Sequence, residues 1–470
     1  VLPKSCFNCR LDLGISLVQL GFRLRRPGLP SWRQTFWHRD CPSASPQHES
    51  QDDQKGDLTM TSLRVKPLAG LFLLCLMMAP WRAAAQDVPK LLIESIVVEG
   101  VSQAAGRRIV TEETLVQEGR SYTEPEVRQA VYRVRRLPFV VNAEYTLRKG
   151  EHDGYTLVIE VLEQTPVFLS AGTNGERSQQ FDFSAGRNRT TTTWQQFGSL
   201  GARAFLGSGG VGEANVQKQQ HQDGEFIQAT YTQYGLLHAG TSLRGGFSSA
   251  QGFKGYDQTF AFLDGVLPLT AAQSIDVSLS WGRTNQTFFG DSSKDVSRGA
   301  ALAWTYDTMD DPLFPMSGSR GFASWSYNRD TNDEKVSFNG EQLSRRLVSD
   351  ARTFTAGVTH YFPLAAHQSI LLAGNLYRAN LASDTASNVP WQWTLAAGHA
   401  ITLLGFDRTH RYGDLRFENY VAATYNYLEA TSGFGSRSSR DASFVSSLGY
   451  RSRWGVLRAT LTYSGLWRSR

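Results

Sequence analysis

Between Leu457 and Trp467 apolar and polar positions alternate. Leu457, Ala459, Leu461, Tyr463, Gly465 and Trp467 fall on one face, Arg458, Thr460, Thr462 and Ser464 on the other, and only Leu466 breaks the rule. A strand with an apolar face against lipid and a polar face toward a wet lumen needs this period of two. The phase recurs upstream, where Ile275, Val277, Leu279 and Trp281 alternate with Asp276, Ser278 and Ser280, and Ile227, Ala229 and Tyr231 with Gln228, Thr230 and Thr232. From Val167 onward the pattern predicts an all-β transmembrane barrel of about 14 to 16 antiparallel strands, an even number being the rule for bacterial barrels. A soluble sandwich alternates too, but the long runs, the aromatics near their ends and an export signal upstream favour the barrel. No apolar run in this region approaches the roughly 20 residues that a membrane helix requires.

Ahead of the barrel, residues 91–165 change period. Ile93 to Gly100 predicts a strand ending at a glycine, and Ile109 to Gln117 a short helix. Thr123-Glu124-Pro125-Glu126 is a capping box, after which Val127, Ala130, Val131 and Val134 share one helical face. Strands are predicted near Val140–Leu147 and Tyr155–Leu162, joined by the polar turn Lys149 to Gly154. The order is strand, helix, helix, strand, strand: a small α+β domain.

The first 85 residues read as two segments outside the mature protein. At Met60 an export signal begins, with Arg64 and Lys66, the short apolar run Leu68 to Met78, and Ala83-Ala84-Ala85 before Gln86. The expected division is residues 1–59 as an over-extended gene start, 60–85 as a signal peptide, 86–165 as the small domain and 166–470 as the barrel. All four cysteines (Cys6, Cys9, Cys41, Cys75) precede Gln86, so the mature chain is expected to carry no disulfide and no thiol nucleophile. Cys6, Cys9, His38 and Cys41 have zinc-ligand spacing, but a zinc module ahead of an internal export signal has little physical sense. The formal charge of +5 is inflated by arginines in that same leader. It gives nucleic-acid binding no support.

The strand order of residues 91–165, with Gly100, Gly119-x-x-Tyr122, Leu137-Pro138-Phe139-Val140 and Val161-x-Glu163-x-x-Pro166, resembles a POTRA domain. Such domains precede the barrels of the BamA, TamA and two-partner secretion transporter superfamily. Tyr306 to Gly321 (YDTMDDPLFPMSGSRG) is similar to the acidic-proline-phenylalanine-proline-glycine turn of those barrels. In that turn Asp307 and Asp311 are the acidic positions, Pro312 and Pro315 stiffen the bend, Phe314 is expected buried, and Gly318 and Gly321 release the next strand. The gapless match of LPLTAAQSI (Leu267–Ile275) with FPLAAHQSI (Phe362–Ile370) places two short turns on one side of the barrel. The polar stretches Asn285–Ser297, Ala379–Pro390 and Glu429–Asp441 are expected as loops. A third resemblance is degenerate. Superfamily members carry a hydrophobic-Arg-Gly-aromatic motif on a loop folded into the lumen, and here Leu404, Gly405 and Phe406 stand in its place, with Leu404 for the arginine. Arg408 or Arg411 is the nearest substitute charge.

No Gly-x-Ser-x-Gly elbow, His-Glu-x-x-His run, phosphate loop or dinucleotide fingerprint occurs. His360 and His410 read as a strand side chain and a loop residue, and Asp307, Asp310 and Asp311 as caps on backbone amides rather than metal ligands. The expectation is therefore a protein that is not an enzyme and needs no cofactor or metal. The resemblance implies an outer membrane of a Gram-negative bacterium, the small domain in the periplasm, and lipid and extended polypeptide clients as partners, with other barrel-assembly components beside them. A passive surface protein or pore with the same architecture is the alternative, favoured by Leu404.

Overall fold

The computed structural model describes residues 9–16, 89–182, 187–207, 209–219, 225–253, 256–288, 291–338, 341–383, 387–404, 413–430, 437–452 and 455–467. Side chains of residues 9–16, 169–198 and 453–467, among others, lie outside the description. A strand far from the others in sequence, β1 (Cys9–Ser16), comes first. The small domain follows as β2 (Lys90–Glu99), α1 (Ala104–Thr114), β3 (Arg120–Thr123), α2 (Glu124–Val134), β4 (Val140–Lys149) and β5 (Tyr155–Glu163). Its sheet runs β3-β2-β5-β4, with β2 and β5 parallel and the outer pairs antiparallel.

Burial follows the predicted periodicity. Val127, Ala130, Val131 and Val134 of α2 are all buried against Ile93, Leu157 and Ile159 of the sheet. The α2 start is tied by Glu126, whose Oε2 accepts the Thr123 N–H at 2.7 Å and the Thr123 hydroxyl at 2.9 Å. The first helix lies nearer the N-terminus than the predicted Ile109–Gln117. It stops at Thr114, whose hydroxyl donates to the Thr111 carbonyl and accepts the Val116 N–H, while Leu115 turns to φ 58°. Strand β3 was not foreseen, because four residues carry too short an alternation to see. At Gly100, where φ is +83°, a Cβ would lie 2.0 Å from the Val161 carbonyl oxygen, so only glycine can end β2 there.

The barrel strands are β6 (Val167–Asp182), β7 (Arg187–Leu206), β8 (Gly210–Gln219), β9 (Glu225–Tyr234) and β10 (Ser242–Phe253). Next come β11 (Tyr256–Pro268), β12 (Gln273–Phe288), β13 (Asp291–Asp307), β14 (Gly318–Phe338) and β15 (Glu341–Ala365). The last five are β16 (Gln368–Ser383), β17 (Ser387–Leu404), β18 (Asp414–Ala430), β19 (Arg437–Ser452) and β20 (Gly455–Trp467). Each pairs antiparallel with the next, and β1 lies between β20 and β6, antiparallel to both, to close sixteen strands into a barrel. The parity is instructive. β6 to β20 are an odd number of alternating strands, so β6 and β20 run in the same sense and an antiparallel seam needs one strand opposed to both. Here that strand comes from the segment read as an upstream extension.

Alternation fixes which face looks out. Leu279 lies opposite Leu263 across β11 and β12, and Leu279, Leu302 and Trp325 are each at least half exposed. Their neighbours turn inward and bond to one another: the Ser278 hydroxyl donates to Asp264 at 2.6 Å, and Ser326 bonds Thr353. In β20, Leu457, Ala459 and Tyr463 pair with Tyr450, Leu448 and Phe444, all exposed on β19. Leu461 pairs with Ser446 in the same phase.

The polar stretches expected as loops are largely strand. Asn285 pairs with Lys294 and Thr284 with Asp295, β16 continues to Ser383, and β18 and β19 run to Ala430 and from Arg437. Beyond an apolar belt both faces of a hairpin are wet, and ladder hydrogen bonds hold it whatever its side chains. Hydrophobic alternation therefore marks the belt and not the strand ends.

Candidate functional site at the barrel mouth

Only Gln164 to Pro166 separate β5 from β6, so the small domain sits on the end of the barrel where β6 begins. Gln164 Oε1 accepts a bond of 2.8 Å from Arg203 Nη1, and Arg203 in turn pairs with buried Glu213. By strand parity the turns after β7, β9, β11, β13, β15 and β17 share this end. The two similar turns after Leu267 and Phe362 thus fall on one side. The domain core reaches into the ring of turns: Phe139 meets Phe205 edge-on at 4.9 Å, and Val211 of β8 is buried in the same cluster as Ile109 and Phe139.

The turn between β13 and β14 is the centre of the site. Its acidic residues do cap backbone amides. Asp307 Oδ1 accepts the Met309 N–H at 3.0 Å, Asp310 Oδ1 accepts those of Met316 and Ser317, and Asp311 Oδ1 accepts those of Leu313 and Phe314 at 2.8 Å. At Gly318, with φ +98°, a Cβ would lie 2.3 Å from the Thr308 carbonyl oxygen, so the return to β14 requires glycine. Gly321 pairs with Tyr306 inside the β13–β14 ladder. Pro315 is buried and Pro312 half-buried.

Ion pairs extend from both sides of this bend. On the domain side Asp307 meets Arg136 at 3.0 Å, its own strand neighbour Arg320 holding the other oxygen at 2.8 Å. Gln129 Nε2 donates to the Asp307 carbonyl at 2.8 Å, and Arg135 Nη1 to the Asp310 carbonyl at 2.8 Å. On the far side Asp311 Oδ2 accepts from Arg451 of β19 at 2.7 Å, and Arg451 also pairs with Asp414 at the start of β18. The half-buried Phe314 ring lies 5.4 Å from that guanidinium and fills the space where Gly449 lacks a side chain. Burial alone would raise the Asp311 carboxyl, but Arg451, Arg135 and the two amides outweigh it and hold it at about 2. Asp310 moves the other way: burial pushes it up, against the Met316 and Ser317 amides.

Beside this bend lies Arg416 of β18, 1% exposed, stacked over Tyr361 at 5.3 Å and 3.5 Å from Glu418. None of its guanidinium nitrogens makes a hydrogen bond among the described residues. Sequence reading found the bend but missed Arg136, Arg416, Asp414 and Arg451. Arg416, Asp414 and Arg451 are single charges on ordinary strands and Arg136 one in the turn after α2, and Arg451 meets Asp311 across 140 residues of chain, which no local pattern encodes.

The other candidates scatter. Leu404 is the last residue of β17 and is exposed at 54%, while Gly405, Phe406, Arg408, His410 and Arg411 lie outside the described residues. The side chains of Leu457, Leu461, Tyr463 and Trp467 do too, although their backbone register is described. In the small domain Leu137 and Phe139 are core, Gly119 has φ +77°, and the Tyr122 hydroxyl accepts the Gln117 N–H at 2.8 Å. His360 sits on β15, with Nδ1 bonded to Ser319 Oγ. Among the described residues no group of three or more His, Cys, Asp or Glu could hold a metal ion, and no helix is long and apolar enough to cross a membrane.

No protein-family model and no curated protein matches the chain. Among solved structures it is similar to BamA from Haemophilus ducreyi lacking POTRA domains 1–3, at 13% identity and TM-score 0.39, over 80% of this chain and 85% of that one. CdiB from Acinetobacter baumannii gives 7% identity and TM-score 0.37 over 80% and 74% of the two chains. CdiB from Escherichia coli gives 12% and 0.30 over 83% and 93%. Likeness at this level carries no assignment; the fold rests on the strand pairing described above.

Proposed function

We infer that the chain is an outer-membrane barrel of the BamA, TamA and two-partner secretion transporter superfamily, with one periplasmic POTRA-like domain, and that it inserts or translocates polypeptide clients. The outward apolar belt supports lipid as its surroundings. The observation that carries client handling is the open edge of the small sheet, next to the barrel mouth. A strand edge offers backbone N–H and C=O groups to any extended chain, giving affinity that tolerates sequence and needs no catalytic residue.

The sheet order also identifies that edge. Strands β2 and β5 are interior: β5 lies between β2 and β4, and β2 between β3 and β5. Where β2 runs past β3, the Ile96 N–H is already taken by Glu118 Oε1 at 3.0 Å. The two edge strands are the four-residue β3 and the ten-residue β4, and β4 is the longer edge for a client. Its first part is covered by Arg135, which donates to the Ala143 carbonyl at 2.7 Å, leaving Tyr145 to Lys149 for a client. Single prolines at Tyr145, Thr146, Leu147 and Arg148 therefore form the test, because proline lacks the N–H that such pairing uses. A variant that keeps the domain folded and loses client delivery, read as changes in the outer-membrane proteome, supports the reading. If every folded variant and a deletion of residues 91–165 leave that proteome unchanged, the protein is a passive pore or surface protein. The bend filling part of the mouth, and Leu404 where superfamily members carry arginine, favour that second reading.

A further inference from the structure

The bend Asp307–Gly318 grips two bodies at once. Arg136, Arg135 and Gln129 of the small domain hold Asp307 and the Asp310 carbonyl, whereas Asp311 and Phe314 hold Arg451 and the backbone of Gly449 on β19. Only three residues separate the two acidic anchors Asp307 and Asp311, and the segment between them is stiffened by the Asp307 cap on Met309 and by the Thr308 and Asp310 N–H groups, which donate to the Ser319 and Ser317 carbonyls. We propose that this bend is a two-sided latch: seating of the domain on Asp307 keeps Asp311 and Phe314 seated against the β18–β19 wall, and release on either side frees the bend from the mouth.

The wiring is favourable for such coupling. Arg135 contributes to the field on Asp311 as well as bonding the Asp310 carbonyl, so a domain residue acts on the wall-side carboxylate directly. Arg451 is shared between Asp311 and Asp414, so loss of Asp311 leaves it a second partner and gives the wall an alternative arrangement. Coupling between sites needs an element with two arrangements that both sites bias. Other contacts, among them Phe139 on Phe205 and the burial of Val211, hold the domain on the barrel when Arg136 is removed. The latch can thus be opened without detaching the domain.

The test uses the full chain with Cys6, Cys9, Cys41 and Cys75 changed to Ser and Met316→Cys as reporter, since Met316 of the bend lies against Ser369 of β16 and Thr402 of β17 and is uncovered when the bend leaves the wall. A membrane-impermeant maleimide on the purified, folded barrel reads how often the bend releases. Arg136→Ala should raise the labelling rate by roughly fivefold, Arg451→Gln should do the same, and the pair together should give much less than the product, as coupled sites do. Arg136→Lys should restore most of the protection. Should Arg136→Ala fail to yield a heat-modifiable barrel, Gln129→Ala takes its place, and Phe314→Leu takes that of Arg451→Gln. Multiplicative effects would mean two independent contacts, and labelling indifferent to the domain-side change would mean that the wall alone holds the bend; either result overturns the latch.

Discussion

Replacing Asp311 with Asn tests the electrostatics of the mouth. The carboxyl is 6% exposed, pairs with Arg451 at 2.7 Å and accepts two backbone N–H groups. Held at about 2 against an ordinary 3.8, it contributes about 2.5 kcal/mol to folding at neutral pH, since each tenfold change in proton affinity is worth about 1.4 kcal/mol. Breaking a buried pair by removing one partner costs about 3–5 kcal/mol. Asn keeps the acceptor for Leu313 and Phe314, and Arg451 keeps Asp414, so the expected loss is about 2–3 kcal/mol. Because the folded-state value lies below the unfolded one, the contribution is complete above pH 4 and disappears as pH falls toward 2. Urea midpoints of the detergent-folded wild type and Asp311→Asn, followed by heat-modifiable migration from pH 7 down to pH 2, measure both quantities. Subtracting one curve from the other cancels the remaining carboxylates. A gap that is absent at pH 7, or one that stays constant down to pH 2, would refute the assignment of that stability to the Asp311–Arg451 pair.

The outward belt makes Leu279→Arg costly by about 2–4 kcal/mol at mid-strand, while Ser280→Arg, facing the lumen, is tolerated; the same contrast is expected of Leu461→Arg and Thr460→Arg, and equal loss of folded barrel in both members of a pair would reverse the facing. Thr123→Ala removes one donor to Glu126 and should lower the stability of the small domain by about 1 kcal/mol, read as a shift in its chemical unfolding. N-terminal sequencing of the purified protein should begin near Gln86, which removes β1 and leaves β6 and β20 as like-directed neighbours with room for an opposed strand; peptides from residues 9–16 in the mature protein would instead make β1 the native closing strand.

Alternation in Ile275–Trp281 and the cap at Thr123 were legible because each reports a local rule: two faces on a strand, orphan amides at a helix start. The barrel and the helix α2 followed from them. The bend at Asp307–Gly318 was legible as a motif for the same reason, since its prolines, glycine and acidic caps act within a few residues. What the bend holds was not. Arg451, Arg136 and Asp414 reach it through barrel closure and domain docking, and their own neighbourhoods look like those of any polar strand face or, for Arg136, any basic turn after a helix. The strand ends were misplaced because Asn285–Ser297 trades apolar residues for polar ones where pairing continues in water.

The succession of neighbours in the barrel also sets an order of events. Every pair from β6 to β20 joins strands adjacent in sequence, so each can form as a hairpin soon after its second strand is made. The seam is different, because it must bring β6 and β20, the first and last strands of that series, to the two sides of one closing strand. Closing a loop of roughly 300 residues costs about 3 kcal/mol more than closing one of roughly 10, with no return until the last ladder bonds form. Until then two strand edges stay unpaired, a state that lipid penalises at every backbone group. The last step in making this barrel is therefore its slowest, and the one at which a helper protein would do most.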